Sequence, residues 1–428
     1  MRRIQNSKIC PILSAKLSSQ SREELPVIVQ SSNNDYTQLK SLIFNLSAKD
    51  VYTLPLIGGM SCNLTTEAIY RLADNPNIEY ISFDSKVFAL LDIATASIDA
   101  SFPHEMGYLG EGVTVAVIDT GTNPHNDLTK PNNRIVGFKD LINNKTSPYD
   151  DNGHGTHVAG IIAGNGYSSR GKYSGVAPKA NILSIKALDE NGSGNTSDII
   201  KAISWVLETK DEYNTKVINL SLGSPANNPC KTDPLCKAVN KATNSGLTVV
   251  VAAGNSGPSE KSILSPGISP NVITVGAVDD KRTPDPSDDT IANFSSRGPT
   301  KDGLMKPDIV TPGVNIMSLS NKKEDGYISL SGTSMATPLV SGSIALLLNK
   351  YKDLKPHEVK EKLLKSCINL NSPPEKQGSG MLNLKLLFNE NNNNSKNNNL
   401  SSPNAFGGEL FENIIILLIV LFLLDSKI

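Results

Sequence analysis

The chain has 428 residues, too long for one small core, so two or three folded units are expected. With 38% hydrophobic and 19% charged residues, most of it should be globular rather than disordered. A net charge of −1, without a block of like charge, gives no support to a nucleic-acid partner, which needs a basic patch for phosphates.

Residues 1–24 are polar and poorly patterned. Met1–Gln30 has basic residues but no apolar core of the length a secretory signal needs, so an intracellular or membrane-associated protein is expected. Residues 25–88 read as a small α+β unit. Leu25–Gln30, Val51–Ile57 and Ile78–Phe83 have strand character, Tyr36–Leu46 is an amphipathic helix, and Thr65 can cap a helix running to Ala73.

Residues 89–388 form the main domain, an α/β unit. Short apolar strands alternate with helical stretches, the pattern of a mostly parallel sheet covered on both faces. Val113–Ile118, Ile182–Ala187, Val217–Leu220 and Thr248–Ala252 are the clearest strands. Asp198–Leu207, Pro234–Asn244, Met335–Lys350 and Pro356–Ser366 are the clearest helices. Residues 389–408, nearly pure asparagine at the start, read as a flexible linker. Residues 409–428 form an apolar tail. Its run Ile414–Leu424 has 11 apolar residues, against the about 20 that a spanning helix needs. Membrane association, docking on a partner and core burial all stay open for it.

The five cysteines are not a disulfide framework, and no C-x-x-C pair suggests zinc. Cys230 and Cys236 are close enough to bridge a loop, or to remain two thiols.

Three strings carry chemistry. Val113–Gly121, VTVAVIDTG, is an apolar strand ending in Asp119, at the edge where α/β sheets place ligands. A turn-forming aspartate is the plainer reading. Asp151–Gly164, DNGHGTHVAGIIAG, sets His154 between glycines ahead of an apolar helix. His157 lacks the i, i+4 spacing and intervening glutamate of a zinc helix, so a packed core histidine is expected and no metal. Leu330–Pro338, LSGTSMATP, puts Ser334 at the start of an apolar helix, as a cap or as a nucleophile.

Together these strings resemble the subtilisin-like serine proteases, the subtilase family, with Asp, His and Ser in that family's chain order. A given seven-residue string such as GTSMATP arises by chance about once in 10⁹ trials. The resemblance covers residues 89–388. It implies a three-layer α/β/α peptidase domain preceded by a small ferredoxin-like prodomain of inhibitor type. It implies a serine endopeptidase acting on polypeptides, with Asp119, His154 and Ser334 as triad. Asn255, in VVVAAGNSG, becomes the side-chain donor of the oxyanion hole. Ser221, Leu222 and Gly223 become the strand that pairs with substrate, and Ala252, Ala253 and Gly254 another pocket wall.

No cofactor is implied for catalysis. Some relatives place a calcium ligand where Asp127 stands, so structural calcium stays open. Leu64–Asp84 is the part that best matches the prodomains, and self-cleavage is expected between about Val87 and Leu91, leaving the prodomain as an intramolecular inhibitor.

Overall fold

The computed structural model describes residues 8–9, 11–18, 24–32, 36–54, 58–83 and 93–389. The expected cleavage region, the linker beyond Asn389 and the apolar tail lie outside them. Among the described residues no helix is long and apolar enough to cross a membrane. The chain divides into two compact units, 1–89 and 90–428.

The smaller unit is a βαββαβ arrangement. Its four-stranded sheet runs in the order Lys49–Leu54, Gly59–Leu64, Leu25–Ser31, Ile78–Phe83, antiparallel throughout. The helices are Tyr36–Phe44 and Thr66–Ala73. Thr65 caps the second by accepting the Ala68 N–H at 3.3 Å. The strand Gly59–Leu64 was not expected, because its small residues hide the alternation that marks a strand.

One expectation needs correction. Residues 1–24 are not without pattern: they contain a helix, Pro11–Ser18. Ile9, Leu13 and Leu17 recur every four residues, and all three join the core of this unit.

The larger unit is built on seven parallel strands. They are β1 (Thr114–Asp119), β2 (Ile135–Asp140), β3 (Asn181–Lys186), β4 (Thr215–Leu220), β5 (Thr248–Ala252), β6 (Ile273–Asp279) and β7 (Ile309–Pro312). Their spatial order is β2-β3-β1-β4-β5-β6-β7, with short strands at Cys367–Ile368 and Met381–Leu382 beyond β7. β1 is buried at every position, as a central parallel strand must be.

Alternation along the strands divides the core in two. Val115 and Val117 face one side, with helices α1 (His154–Ala163) and α4 (Thr333–Lys350). Ala116 and Ile118 face the other, with α2 (Thr196–Thr209) and α3 (Pro234–Asn244). The result is three layers, helix on sheet on helix, as the resemblance implies.

From β1 the chain runs to the sheet edge as β2, returns between the two as β3, then crosses to β4 on the other side of β1. The strand order therefore reverses between β1 and β4. In open α/β sheets such a reversal opens a crevice at the carboxyl ends of the strands. Asp119 ends β1 and Ser221 follows β4, so the topology brings these two segments to one place.

Candidate active site

Asp119 is fully buried. Its Oδ1 accepts the backbone N–H of Thr120 at 2.7 Å and faces Nδ1 of His154 at 2.7 Å. With Nδ1 donating to the carboxylate, the neutral ring keeps Nε2 as its free acceptor. Burial alone would lower the imidazole pKa. The charge and hydrogen bond of Asp119, with a further contribution from Asp150, outweigh it and raise His154 above its ordinary value.

His154 is the first residue of α1. The preceding Gly153 has φ +110°, a left-handed conformation that suits glycine. Gly155 lets the helix approach β1: a Cβ there would lie 2.1 Å from the Gly121 carbonyl oxygen and 3.2 Å from Asp119 Cβ.

Sequence reasoning passed over the residue that ties these pieces together. Asp150 Oδ1 accepts from the Thr120 hydroxyl at 2.9 Å and from the N–H groups of Asn152 and Gly153. Its Oδ2 accepts the N–H and hydroxyl of Thr156 at 2.9 and 2.7 Å. An aspartate four residues before a helix start was the available signal, since carboxylates satisfy the free N–H groups of a first turn. Lys186 reinforces the arrangement from within the core. Its buried ammonium donates to the carbonyls of Thr120 and Leu188 at 2.8 and 2.9 Å and to Asp151 at 2.6 Å.

Ser334 lies in the first turn of α4, which starts two residues earlier than expected, at Thr333. It is therefore not the helix cap. Pro338, four residues on, has no N–H, so the Ser334 carbonyl loses its helical partner. The Ser221 hydroxyl takes that place, donating to the Ser334 carbonyl at 2.9 Å. In return the Ser334 hydroxyl donates to the Ser221 carbonyl at 3.1 Å. Ser334 Oγ makes no hydrogen bond to His154. The expected series of contacts is thus made at its Asp–His half and open at its His–Ser half.

His154 and Ser334 nevertheless border one cleft of about 580 Å³. Ser221, Leu222 and Gly223 line it as expected, and Leu188, Ile199 and Leu235 make it partly apolar. Ala252 and Ala253 are buried and, with Gly254, do not border this cleft. Ala252 ends β5, and Ala253, just beyond it, packs with Cys230, Cys236, Ile263 and Ile268.

Asn255 is exposed just past β5. Its Oδ1 accepts the N–H and hydroxyl of Thr333 at 2.9 and 3.0 Å. That fixes the amide so that its NH₂ is left to donate elsewhere. Thr333 Oγ1 in turn accepts the Gly254 N–H at 3.2 Å.

His157 is fully buried, with Nε2 facing the carbonyls of Ile316 and Ile328 at 3.0 and 3.1 Å. Burial pushes its pKa down to about 4, so it is the packed, neutral histidine that the spacing suggested. Asp127 is fully buried and hydrogen-bonded within the protein. Its Oδ1 accepts the Ser168 N–H and its Oδ2 the Tyr327 hydroxyl, each at 2.8 Å. Each oxygen thus has a protein donor, one of them from the loop that follows α1. Cys230 and Cys236 are free thiols.

Comparison with known proteins identifies the family. The sequence profile of the subtilase family, Peptidase_S8, matches residues 110–404. Serine protease AprX of Bacillus subtilis is 45% identical over 345 residues, covering 76% of this chain and 77% of that protein. Subtilisin E of the same organism is 32% identical over 388 residues, covering 87% and 93%. The solved structure of sphericase is 32% identical with a TM-score of 0.55, covering 64% of this chain and 92% of that one. The chain belongs to the subtilase family and is a subtilisin-like serine endopeptidase.

Proposed function

We propose that Asp119, His154 and Ser334 are the catalytic triad and that Asn255 donates to the oxyanion. The observation that carries this reading is the 2.7 Å contact between buried Asp119 and His154, at the edge of a cleft that Ser334 also borders. Catalysis would require the serine to leave the Ser221 carbonyl and engage Nε2. Catalytic hydrogen bonds are commonly loose before substrate arrives.

With substrate in the cleft, His154 removes the Ser334 proton as the oxygen attacks the scissile carbonyl. Asp119 holds the tautomer and stabilises the imidazolium. The carbonyl oxygen, now negative, accepts from Asn255 Nδ2 and the Ser334 N–H. Collapse of the tetrahedral intermediate breaks the C–N bond, and His154 gives its proton to the leaving amine. Water then hydrolyses the acyl-enzyme by the same route in reverse. Substrate would lie extended along Ser221–Gly223, paired through its backbone.

The smaller unit is proposed as an inhibitory prodomain that the enzyme removes itself, between about Val87 and Leu91. Intact-mass measurement of wild type and Ser334→Ala tests both ideas. Wild type should lose roughly the first 90 residues and the variant should keep them. Equal processing in both would refute self-cleavage.

A fluorophosphonate should label wild type at Ser334 and abolish casein hydrolysis. A non-catalytic member of the fold draws support only from the Ser334–Ser221 hydrogen bond. Neither labelling nor turnover after prodomain removal would establish that reading instead.

A further inference from the structure

The end of β6 pairs with a short strand, Thr290–Ile291. The register is antiparallel, with Val278 opposite Ile291 and Asp279 opposite Thr290. The pairing ends there, and the next residue on each side is Asp280 on one and Asp289 on the other. Cross-strand neighbours hold their Cβ atoms about 4.5–5.5 Å apart, and like charges there repel. Both aspartates are buried, with 3% and 8% exposure.

Asp289 is the anomaly. Neither of its carboxylate oxygens has a hydrogen-bond partner among the described residues. Asp280 has weak ones: the Arg282 N–H at 3.1 Å and the Ser97 hydroxyl at 3.5 Å. No basic side chain among the described residues pairs with either. Lys281, next to Asp280 in sequence, is committed to Asp279 at 2.7 Å. Burial, followed by the charges of Asp280, Asp288, Asp279 and Asp285, pushes the Asp289 carboxyl up to about 7. Burial also raises Asp280. Buried carboxylates in this position call for a counter-charge or a proton.

The surrounding atoms favour a cation. Ser97 Oγ lies 3.2 Å from the Thr283 carbonyl oxygen as well as beside Asp280. The hydroxyl adjoins Asp280 and the carbonyl adjoins the hydroxyl, so with Asp289 the candidate donors are all oxygen. No group of three or more His, Cys, Asp or Glu among the described residues forms a ready metal cluster. Calcium is the ion that completes two carboxylates with neutral oxygens and water. We propose that Asp280 and Asp289 are the carboxylate ligands of a calcium site at the turn after β6, with Ser97 Oγ and the Thr283 carbonyl beside it. Bound there, the ion would fasten the Ile93–Ser97 helix at the start of the larger unit to the hairpin.

The test uses the full chain carrying Ser334→Ala, to prevent self-digestion, stripped with EGTA. Thermal unfolding and calorimetric titration with CaCl₂ are compared for this parent, Asp289→Asn and Asp280→Asn. Calcium should raise the parent midpoint. Each variant should bind one ion fewer or lose at least tenfold in affinity for one. Asp289→Asn should unfold no earlier than the parent in EGTA, because a buried unpartnered charge has gone. The proposal fails if calcium leaves the parent midpoint unmoved, or if stoichiometry, affinity and midpoint increment survive in both variants. It also fails if the parent ignores calcium and instead gains stability in EGTA as pH falls through 7, which would assign a shared proton. If Asp289→Asn does not fold, the titrations of the parent and Asp280→Asn decide alone.

Discussion

Ser221 and Ser334 exchange two hydrogen bonds, each hydroxyl donating to the other's carbonyl, at 2.9 and 3.1 Å. The exchange exists because Pro338 leaves the Ser334 carbonyl without a helical donor. Ser221→Ala removes one donor and strands that carbonyl, at a cost of about 1–3 kcal/mol. We expect a lower unfolding midpoint and a reduced kcat. Differential scanning calorimetry and peptide hydrolysis check both, and unchanged values would show that water replaces the hydroxyl.

His154 must be neutral to act as a base, and its pKa is raised above the ordinary value. Activity should therefore rise with pH through a limb above about 6.5, the unperturbed histidine value. Asp150 contributes to that elevation. Asp150→Asn removes its charge, so the acid limb of kcat/KM should move to lower pH. The variant should also be less stable, because the new NH₂ faces donors. A limb that stays in place would show that Asp150 acts by geometry alone.

Asn255→Ala should lower kcat about 10²–10³-fold with little change in KM, a magnitude carried over from the corresponding asparagine of subtilisin itself. Thr333→Val removes the hydroxyl that helps to hold Asn255 Oδ1 and should lower kcat by a smaller factor. If Thr333 acts through Asn255, the double variant should be no slower than Asn255→Ala alone. Multiplied losses would give Thr333 a role of its own.

Gly155→Ala puts a methyl group 2.1 Å from the Gly121 carbonyl oxygen. The neighbour is backbone and cannot swing aside, so α1 must move away from β1. That movement would break the Asp119–His154 contact. We expect soluble protein with at least a hundredfold loss of kcat/KM, or no folded protein at all. Near-normal activity measured on the purified variant would refute this.

Much of this arrangement was legible in the sequence. β1, β3, β4 and β5 are rich in Val, Ile, Leu and Ala with few polar interruptions, because both faces of a parallel sheet are covered, and such runs are hard to misread. Asp119, His154 and Ser334 stood out because each follows a strand or opens a helix amid small residues. Three kinds of feature were hidden. Asp150 and Lys186 act through hydrogen bonds to segments 30 or more residues away, and no local pattern encodes those. The Gly59–Leu64 strand has too few large side chains to show its period. The donors to Asp127 come from Ser168 and Tyr327, distant in sequence, so no local spacing could reveal them.

Helix α4 is buried at 15 of its 18 residues. Side chains so enclosed are released only when the surrounding layers separate, at a free energy close to that of global unfolding. Ser334, in the first turn of this helix, therefore has no private route to disorder. Heat or denaturant should abolish turnover and tertiary structure in a single cooperative step, and loss of activity can serve as a direct count of molecules that have come apart.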